Sequence, residues 1–457
     1  MRRFLSVMLL ASAAAAAEDG PVSAEAEYHL AQGLERMGFS FSAFAHYAAI
    51  VSAGPANPYY LKAIDAAASA AERLRDDVVA PNLFEKAYGE PLSALAPQRL
   101  ARIRASLALL GYRAGRFEQA AGLAEQVPPE TGAYPQAQYV KGLLQERTDP
   151  QSAAATFRAL AVLPGAGGEL KELAWIALGR TLYALHRYAE ASAAYENVPR
   201  FSRHWDEALF EGAYADLQKG DPGAALGKLH SLQSPHLSDE FVPESLNLMA
   251  ILYQQRCLYH EVKKVLAQFD REYLPMRDQM KKVLQSEPAL DEYWRMLQPA
   301  DARLPRAVQH DLWKNERVVS MRAYLEALDQ EASRVRADPK LSGALKDELL
   351  DGIGRQKQLS ERLAGKFIQG RLADMARLIE VLEGDKELIA FETTKGEKEM
   401  LETRFDADGQ LASQQLHRPG VPQAGHEYWP FDGEYWPDEI GYYRYTVKDA
   451  CAGGKGE

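Results

Sequence analysis

Residues 174–198 read AWIALGRTLYALHRYAEASAAYENV, and their spacing of large and small residues is typical of two helices packed as a hairpin. Small residues at Gly179 and Ala191 allow the two helix axes to approach closely, and larger side chains fill the space beside them. The positions predicted to pack the hairpin are Trp175, Leu178, Gly179, Leu182, Tyr188, Ala191 and Tyr195. One hairpin cannot bury both of its faces, so this stretch predicts neighbours of the same kind.

Similar hairpins recur through the first 270 residues. The small residue of the second helix falls at Ala43, Ala120, Ala153, Ala191, Ala224 and, as a substitution, Val262. The steps between these positions are 77, 33, 38, 33 and 38 residues. The step of 77 leaves room for a further, degenerate unit between Pro58 and Leu92, so about seven helical units are predicted.

This pattern resembles the tetratricopeptide repeat, a helical hairpin with a period of about 34 residues. The resemblance covers roughly residues 24–270, within a solenoid domain assigned to 18–270, and is strongest in 174–198. It implies an all-α fold in which stacked hairpins form an α-solenoid superhelix, with a concave groove that binds peptides or partner proteins. The groove is expected to expose polar and aromatic side chains of the first helices, which start near Glu27, Arg104, Trp175, Trp205 and Asn247.

Residues 1–17, MRRFLSVMLLASAAAAA, have the layout of a cleavable secretory signal peptide: two arginines, an apolar run and small residues. This predicts export to the periplasm, free or associated with the outer membrane. No later stretch holds 18 consecutive apolar residues, so no transmembrane segment is predicted in the mature chain. The formal net charge of −11 argues against nucleic acid as a partner. The sequence does not predict the oligomeric state.

Cys257 and Cys451 are the two cysteines of the chain. An oxidising compartment permits a disulfide between them, but two separate thiols are the simpler interpretation, because pairing cannot be deduced from sequence. Cys257 takes the turn position that Gly38 and Gly115 hold in their own hairpins. It is therefore expected at a hairpin tip.

From about residue 271 to 384 the repeat period is lost, although apolar residues still recur every three or four positions. This pattern favours long helices packed along one stripe, as in a helical hairpin or a coiled coil. Gly352 and Gly354 are expected to break or bend the later of these helices. The charged residues between the apolar ones are interpreted as a solvated face.

Residues 385–447 change character again and predict a small β or irregular segment. Within them, 400–416 predicts two short strands joined at Asp406–Gly409, because Asp-Gly is a hairpin turn signal. The tetrapeptide Glu-Tyr-Trp-Pro then occurs twice, at 427–430 and 434–437. The aromatic residues that are candidates for binding a partner are Tyr428, Trp429, Phe431, Tyr435, Trp436, Tyr442 and Tyr443.

Two interpretations of these aromatic residues stay open. In the first, which is favoured because large rings are most often buried, they dock the tail onto the helical part of the chain as a cap. In the second, they form an exposed platform for a partner protein or an envelope glycan. Residues 448–457 are expected to be a disordered terminus.

The sequence holds no convincing catalytic, cofactor or metal-binding motif. GAALGKLHS at 223–231 superficially resembles a phosphate loop, but its glycine-to-lysine spacing is short and Leu229 replaces the required Ser or Thr. HEVKK at 260–264 lacks the second histidine of a metalloprotease helix. A non-enzymatic function without cofactor or metal is therefore predicted.

The repeats and the signal peptide together predict a periplasmic scaffold or adaptor that binds envelope proteins. The repeat array followed by EYWPFDGEYWPDEIGYY at 427–443 is similar to the periplasmic repeat component of bacterial gliding-motility complexes. That resemblance implies partners among the periplasmic and outer-membrane proteins of one machine. The alternative is an envelope glycan-binding protein whose tail aromatics stack on sugars.

Overall fold

The structure, a computed structural model, describes residues 23–74, 80–87, 92, 95–298, 301–408, 433–445 and 450–451. Within these ranges the chain forms eighteen α-helices and no strand. The described part of the chain is therefore all-helical, as the repeat spacing predicts.

Seven pairs of helices come first. Four pairs are α1 (Ala24–Arg36) with α2 (Ser40–Ser52), α3 (Tyr60–Leu74) with α4 (Ala80–Ala87), α5 (Pro97–Arg113) with α6 (Phe117–Glu125), and α7 (Tyr134–Gln145) with α8 (Pro150–Ala161). Three more are α9 (Gly168–Ala184) with α10 (Tyr188–Tyr195), α11 (Trp205–Gln218) with α12 (Pro222–Leu232), and α13 (Glu244–Gln254) with α14 (Tyr259–Gln285). Helices of a pair pack on each other, and several second helices also contact the first helix of the next pair. The pair α3 and α4 occupies the gap in which a degenerate unit was predicted.

Four helices follow the pairs: α15 (Leu290–Arg295), α16 (Arg306–Lys314), α17 (Glu316–Ala337) and α18 (Gly343–Asp408). The chain divides into two compact units. The first unit comprises the described residues of Met1–Ala174, Ala289–Arg295 and Trp313–Ile368. The second unit comprises those of Trp175–Pro288, Met296–Leu312 and Gln369–Glu457.

The tips of the helix pairs share a left-handed backbone conformation. The residues with positive φ at these tips are Gly38, Gly115, His186, Gly220 and Cys257, with φ between 55° and 84°. Glycine is the natural choice at such a position, because a side chain strains the backbone there. Cys257 therefore lies at a hairpin tip, as its alignment with the glycines predicts.

In the opening stretch, small and large residues meet where the two helices cross. A Cβ atom added to Gly179 would lie 2.5 Å from the ring of Tyr195, so only glycine fits beneath that ring. Of the seven predicted packing residues, Leu178, Gly179, Leu182, Ala191 and Tyr195 are buried, while Trp175 and Tyr188 are partly exposed. In the first unit, Gly142 lies in the same way against the ring of Phe157.

In the first unit, a carboxylate from α17 caps the start of α2. Glu331 is fully buried and accepts hydrogen bonds from the backbone N–H groups of Phe41 and Ser42, each at 2.8 Å. The Ser42 hydroxyl donates a third bond to it at 2.7 Å. The helix has no side-chain cap of its own, so Glu331 satisfies N–H groups that the helix itself leaves unpaired.

In the second unit, the later part of α18 runs antiparallel to α14. Ion pairs join the two helices in this register: Lys263–Glu397, Asp270–Lys386, Arg277–Glu383 and Lys281–Glu380. The Asn247 amide on α13 also donates a 2.9 Å hydrogen bond to the Leu382 carbonyl oxygen. Helix α18 therefore covers the first helix of the last pair near Asn247, where an open groove was predicted.

Helix α18 differs from the sequence prediction in two respects. It continues through Gly352 and Gly354 without interruption and runs past Gly384 as far as Asp408. The first strand predicted in 400–416 is therefore wrong, since 400–408 is helical. Residues 409–416 lie outside the described residues.

Several other predictions concern parts of the chain that the structure does not describe. These are the signal peptide at 1–17, the aromatic residues Tyr428, Trp429 and Phe431, and most of the terminus at 448–457. Among the described helices, none is both long enough and apolar enough to cross a membrane.

Candidate functional site

The C-terminal segment comprises residues 433–445, which lie on helix α12 of the second unit, and residues 450–451, which contact the tip of the last helix pair. The Tyr445 N–H donates a 3.0 Å hydrogen bond to the Gly223 carbonyl oxygen. The Gly441 N–H donates a 2.8 Å bond to the Ser231 hydroxyl. This docking involves backbone groups of the segment, so the segment is bound as a peptide is bound by a receptor.

Two glycines of α12 make room for the segment. A Cβ atom at Gly227 would overlap the carbonyl oxygen of Tyr443, and one at Gly223 would lie 2.7 Å from the carbonyl oxygen of Tyr445. The stretch GAALGKLHS, which superficially resembles a phosphate loop, is therefore the helix surface on which the segment lies. In the segment itself, Gly441 contacts the indole ring of Trp205. A Cβ atom added to Gly441 would lie 2.7 Å from that ring.

A disulfide fixes the far end of the segment. Cys257 at the tip of the last pair is bonded to Cys451. The interpretation of two separate thiols is therefore wrong. The pairing escapes sequence analysis because 194 residues separate the two cysteines and only the docked backbone brings them together. The adjacent Ala450 N–H donates a 3.0 Å bond to the Arg256 carbonyl oxygen.

One aromatic side chain of the segment packs on a partly buried histidine. The Tyr445 ring is stacked on His230, with centroids 4.5 Å apart and planes within 9°. His230 Nε2 is also hydrogen-bonded to the Tyr253 hydroxyl at 2.9 Å. Burial lowers the pKa of His230 to about 4, and the charge of Glu261 offsets only part of that effect. His230 is therefore neutral when the segment is docked at neutral pH.

Two other aromatic side chains of the segment remain exposed. Trp436 is 52% exposed and Tyr442 is 70% exposed. Arg200 donates to the carbonyl oxygens of Pro437 and Asp438, and its guanidinium lies 5.0 Å from the centroid of the Tyr442 ring. These contacts hold the exposed rings in place without covering them. They form the exposed aromatic site, defined by Trp436 and Tyr442.

The other two predicted residues that the structure describes are partly buried. The rings of Tyr435 and Tyr443 meet edge to face with centroids 6.1 Å apart. The Tyr443 hydroxyl accepts a 3.1 Å hydrogen bond from the Trp436 N–H. The segment is therefore docked, as the first interpretation predicts, while two of its rings face solvent; binding of a partner by these rings stays a prediction.

A second surface of this unit lies on α9 and α11, two of the first helices on which polar and aromatic side chains were predicted, although the sequence did not identify the residues. Arg180 on α9 forms hydrogen bonds with Glu207 and Glu211 on α11, including a 2.9 Å bond from Nε to Glu211. Burial alone would lower the pKa of Arg180, but the two glutamates raise it overall. Tyr214, further along α11, is exposed. We refer to Arg180, Glu207, Glu211 and Tyr214 as the first-helix face.

The unit also contains a buried charge cluster that has a structural explanation. Lys228 forms ion pairs with buried Asp216 and with Glu196, and Asp216 also accepts a 2.6 Å bond from the Ser192 hydroxyl. Every charge in the cluster has an opposite partner, as buried ions require. Among the described residues, no cluster of His, Cys, Asp and Glu side chains has the arrangement of a metal site.

Neither protein-family models nor curated proteins match this chain.

Proposed function

We propose that the protein is a non-enzymatic scaffold that binds partner proteins in the bacterial periplasm. The observation that carries this proposal is the exposed aromatic site. Trp436 and Tyr442 are large, exposed and fixed by a docked backbone and a disulfide. Exposed apolar patches and fixed aromatic rings are characteristic of protein interaction sites.

The helix pairs support a solenoid of the tetratricopeptide type as the architecture of the scaffold. Such an array presents the side chains of its first helices to a partner. The first-helix face carries charged groups and the exposed ring of Tyr214, a combination suited to peptide recognition. We assign it as a second, weaker candidate for partner binding.

The disulfide supports the periplasm as the location, because such bonds persist in oxidising compartments. The resemblance of 427–443 to a gliding-motility component supports partners within that envelope machine. Both assignments extend the scaffold proposal and are tested with it.

An envelope glycan is the second candidate ligand of the exposed aromatic site. The observation that favours it is the position of Phe201, which is also exposed and shares the guanidinium of Arg200 with Tyr442. Several exposed rings close to one another offer faces on which sugars stack.

Site-specific photocrosslinking in intact cells tests the proposal. A photoreactive phenylalanine analogue would replace Tyr442 in one variant, Tyr214 in a second, and exposed Glu118 of the first unit in a control. We expect the Tyr442 variant to form a covalent adduct with a specific envelope protein that the control does not form. Adding Trp436→Ala should abolish that adduct.

The other outcomes separate the alternatives. An adduct from the Tyr214 variant alone would move the binding site to the first-helix face. A protease-resistant adduct, together with quenching of Trp436 fluorescence by soluble peptidoglycan, would favour the glycan. A lack of specific adducts from both positions would contradict the scaffold proposal.

A further inference from the structure

Helix α18 carries a second exposed apolar feature in the second unit. Val381, Leu388 and Phe391 are 58%, 62% and 65% exposed, although all three are large and apolar. They lie seven and then three residues apart, so they follow one side of a helix with 3.6 residues per turn. These three residues form the α18 stripe.

The stripe plays no part in holding α18 in place. The opposite side of the helix carries the buried residues Leu382, Ile389 and Thr393. The same part of α18 also forms the ion pairs with α14. Among the residues that the structure describes, α18 is therefore held by its other side, and the stripe is available to another molecule.

The spacing of the stripe is that of a coiled-coil seam. In a heptad labelled a to g, Val381 and Leu388 take a positions and Phe391 takes a d position. The intervening d position is Gly384, and no atom lies within 4 Å of where its Cβ would be. This gap offers room for a large side chain of a partner helix.

Three of the four e and g positions beside the stripe are acidic, and the fourth is Thr394. Asp385 and Glu392 take the e positions and Glu387 takes a g position. All three are exposed, and none forms an ion pair with any residue that the structure describes. In coiled coils, e and g charges decide which partner is accepted. A helix with lysine or arginine at the facing positions would therefore be attracted.

We propose that the α18 stripe binds an amphipathic helix of a partner protein that carries basic residues beside its apolar seam. A second copy of this chain fits poorly, because parallel and antiparallel pairing would both set acidic residues against acidic residues. The stripe shares no residue with the exposed aromatic site or with the first-helix face, although Asp385 beside it interacts electrostatically with Tyr214. The inference therefore goes beyond the proposed function and stands or falls without it.

The test uses two synthetic coiled-coil peptides of three heptads with leucine at a and d. One carries lysine at e and g, and its twin carries glutamate there. Fluorescence anisotropy would follow the binding of each labelled peptide to the full chain at physiological salt. We expect the lysine peptide to bind at least tenfold more tightly than the glutamate peptide. Leu388→Ser with Phe391→Ser should weaken binding of the lysine peptide at least tenfold.

A charge reversal makes the test specific. Asp385→Lys, Glu387→Lys and Glu392→Lys together should reverse the preference, so that the glutamate peptide binds more tightly. The matched control is Glu118→Lys, Glu125→Lys and Glu130→Lys, which changes net charge equally at exposed positions of the first unit. The control should keep the original preference.

Three results would overturn the proposal. The same loss of lysine-peptide binding in the charge-reversal variant and in its matched control would mean attraction by net charge alone. A dimer in sedimentation that Phe391→Ser dissociates would make a second copy the occupant. Failure of both peptides, with lower thermal stability of Phe391→Ser, would mean that the chain itself covers the stripe.

Discussion

At the scale of single residues, Gly227 decides whether the C-terminal segment can lie on α12. Any side chain there would overlap the Tyr443 carbonyl oxygen. That oxygen cannot easily move away, because hydrogen bonds from Gly441 and Tyr445 fix the backbone on either side of Tyr443. We expect Gly227→Ala to destabilise the docked state by about 1–3 kcal/mol, the usual cost of overpacking. The Cys257–Cys451 disulfide should then be reduced several-fold faster by dithiothreitol, because the segment leaves α12 more often.

Gly122→Ala is the matched control for that substitution. Gly122 also lies within a helix, α6, but no atom is within 4 Å of the position of its Cβ. Alanine there should raise stability by about 0.5–1 kcal/mol through helix propensity and leave the rate of disulfide reduction unchanged. Equal reduction rates for both variants would mean that Gly227 is not needed for docking.

His230 makes docking of the segment dependent on pH. Its pKa is about 4 in the folded state against an ordinary value of 6.5, so the unfolded or undocked state binds the proton first. The contribution of His230 to the free energy of unfolding is fully present above about pH 6.5 and is lost progressively as the pH falls to about 4. Below pH 4 the free energy of unfolding no longer depends on this group. The full loss is about 2 kcal/mol, since the imidazole keeps some contact with solvent.

Urea unfolding between pH 4 and 7 measures this contribution, with His230→Phe as the comparison. Phenylalanine keeps a ring against Tyr445 but binds no proton. The wild type should therefore lose more stability than the variant as the pH falls through this range. Parallel pH profiles for the two proteins would rule out His230 as the titrating group.

The residues of the candidate site differ in how far the sequence could predict them. Gly179 and Tyr195 follow from the hairpin pattern, because their contact is local and recurs along the chain. Gly223 and Gly227 carry a signal of close approach, two glycines on one side of a helix, but nothing in it identifies what approaches. The sequence therefore predicts the packing of the pairs better than the docking of the segment.

At the scale of secondary-structure elements, the capping of α2 by Glu331 links two helices of the first unit, α2 and α17, that are far apart in the sequence. Replacing Glu331 with alanine would leave the buried N–H groups of Phe41 and Ser42 without an acceptor. We expect a loss of about 2–4 kcal/mol in the free energy of unfolding. Hydrogen exchange of the Phe41 and Ser42 amides should accelerate by the factor to which this loss in free energy corresponds.

Glu326→Ala on the same helix α17 is the control. Glu326 forms an exposed ion pair with Arg322, so its loss should change stability by no more than about 0.5 kcal/mol. Amide exchange in α2 that is the same in both variants would show that Glu331 does not cap that helix.

Helix α18 shows why two sequence predictions were wrong, the break at Gly352 and Gly354 and the strand after residue 384. A glycine within a helix costs only about 1 kcal/mol, and burial of Ile353 between Gly352 and Gly354 outweighs that cost. Near the end of the helix, Lys398 and Glu402 pair at 3.6 Å with the i,i+4 spacing that supports a helix. Asp406 and Asp408, which belong to the signal taken for a hairpin turn, lie within the helix.

At the scale of the whole molecule, the disulfide joins the last helix pair to the end of the chain. Its cysteines are 194 residues apart, so the chain-entropy argument gives it a stabilisation of about 2–5 kcal/mol. Cys257→Ser with Cys451→Ser should lower the unfolding free energy by that amount. Dithiothreitol should lower the thermal midpoint of the wild type and have no effect on the double variant. An unchanged midpoint for the reduced wild type would mean that non-covalent docking alone holds the segment.

The bridge between Cys257 and Cys451 also makes a closed ring of every residue between them. A protease that cuts this ring once opens it without releasing either end, so the nicked chain stays one covalent molecule. Trp436 and Tyr442 would remain seated on α12 after such a cut. The molecule thus keeps its exposed aromatic side chains after a cut that would release a tail without such a bridge.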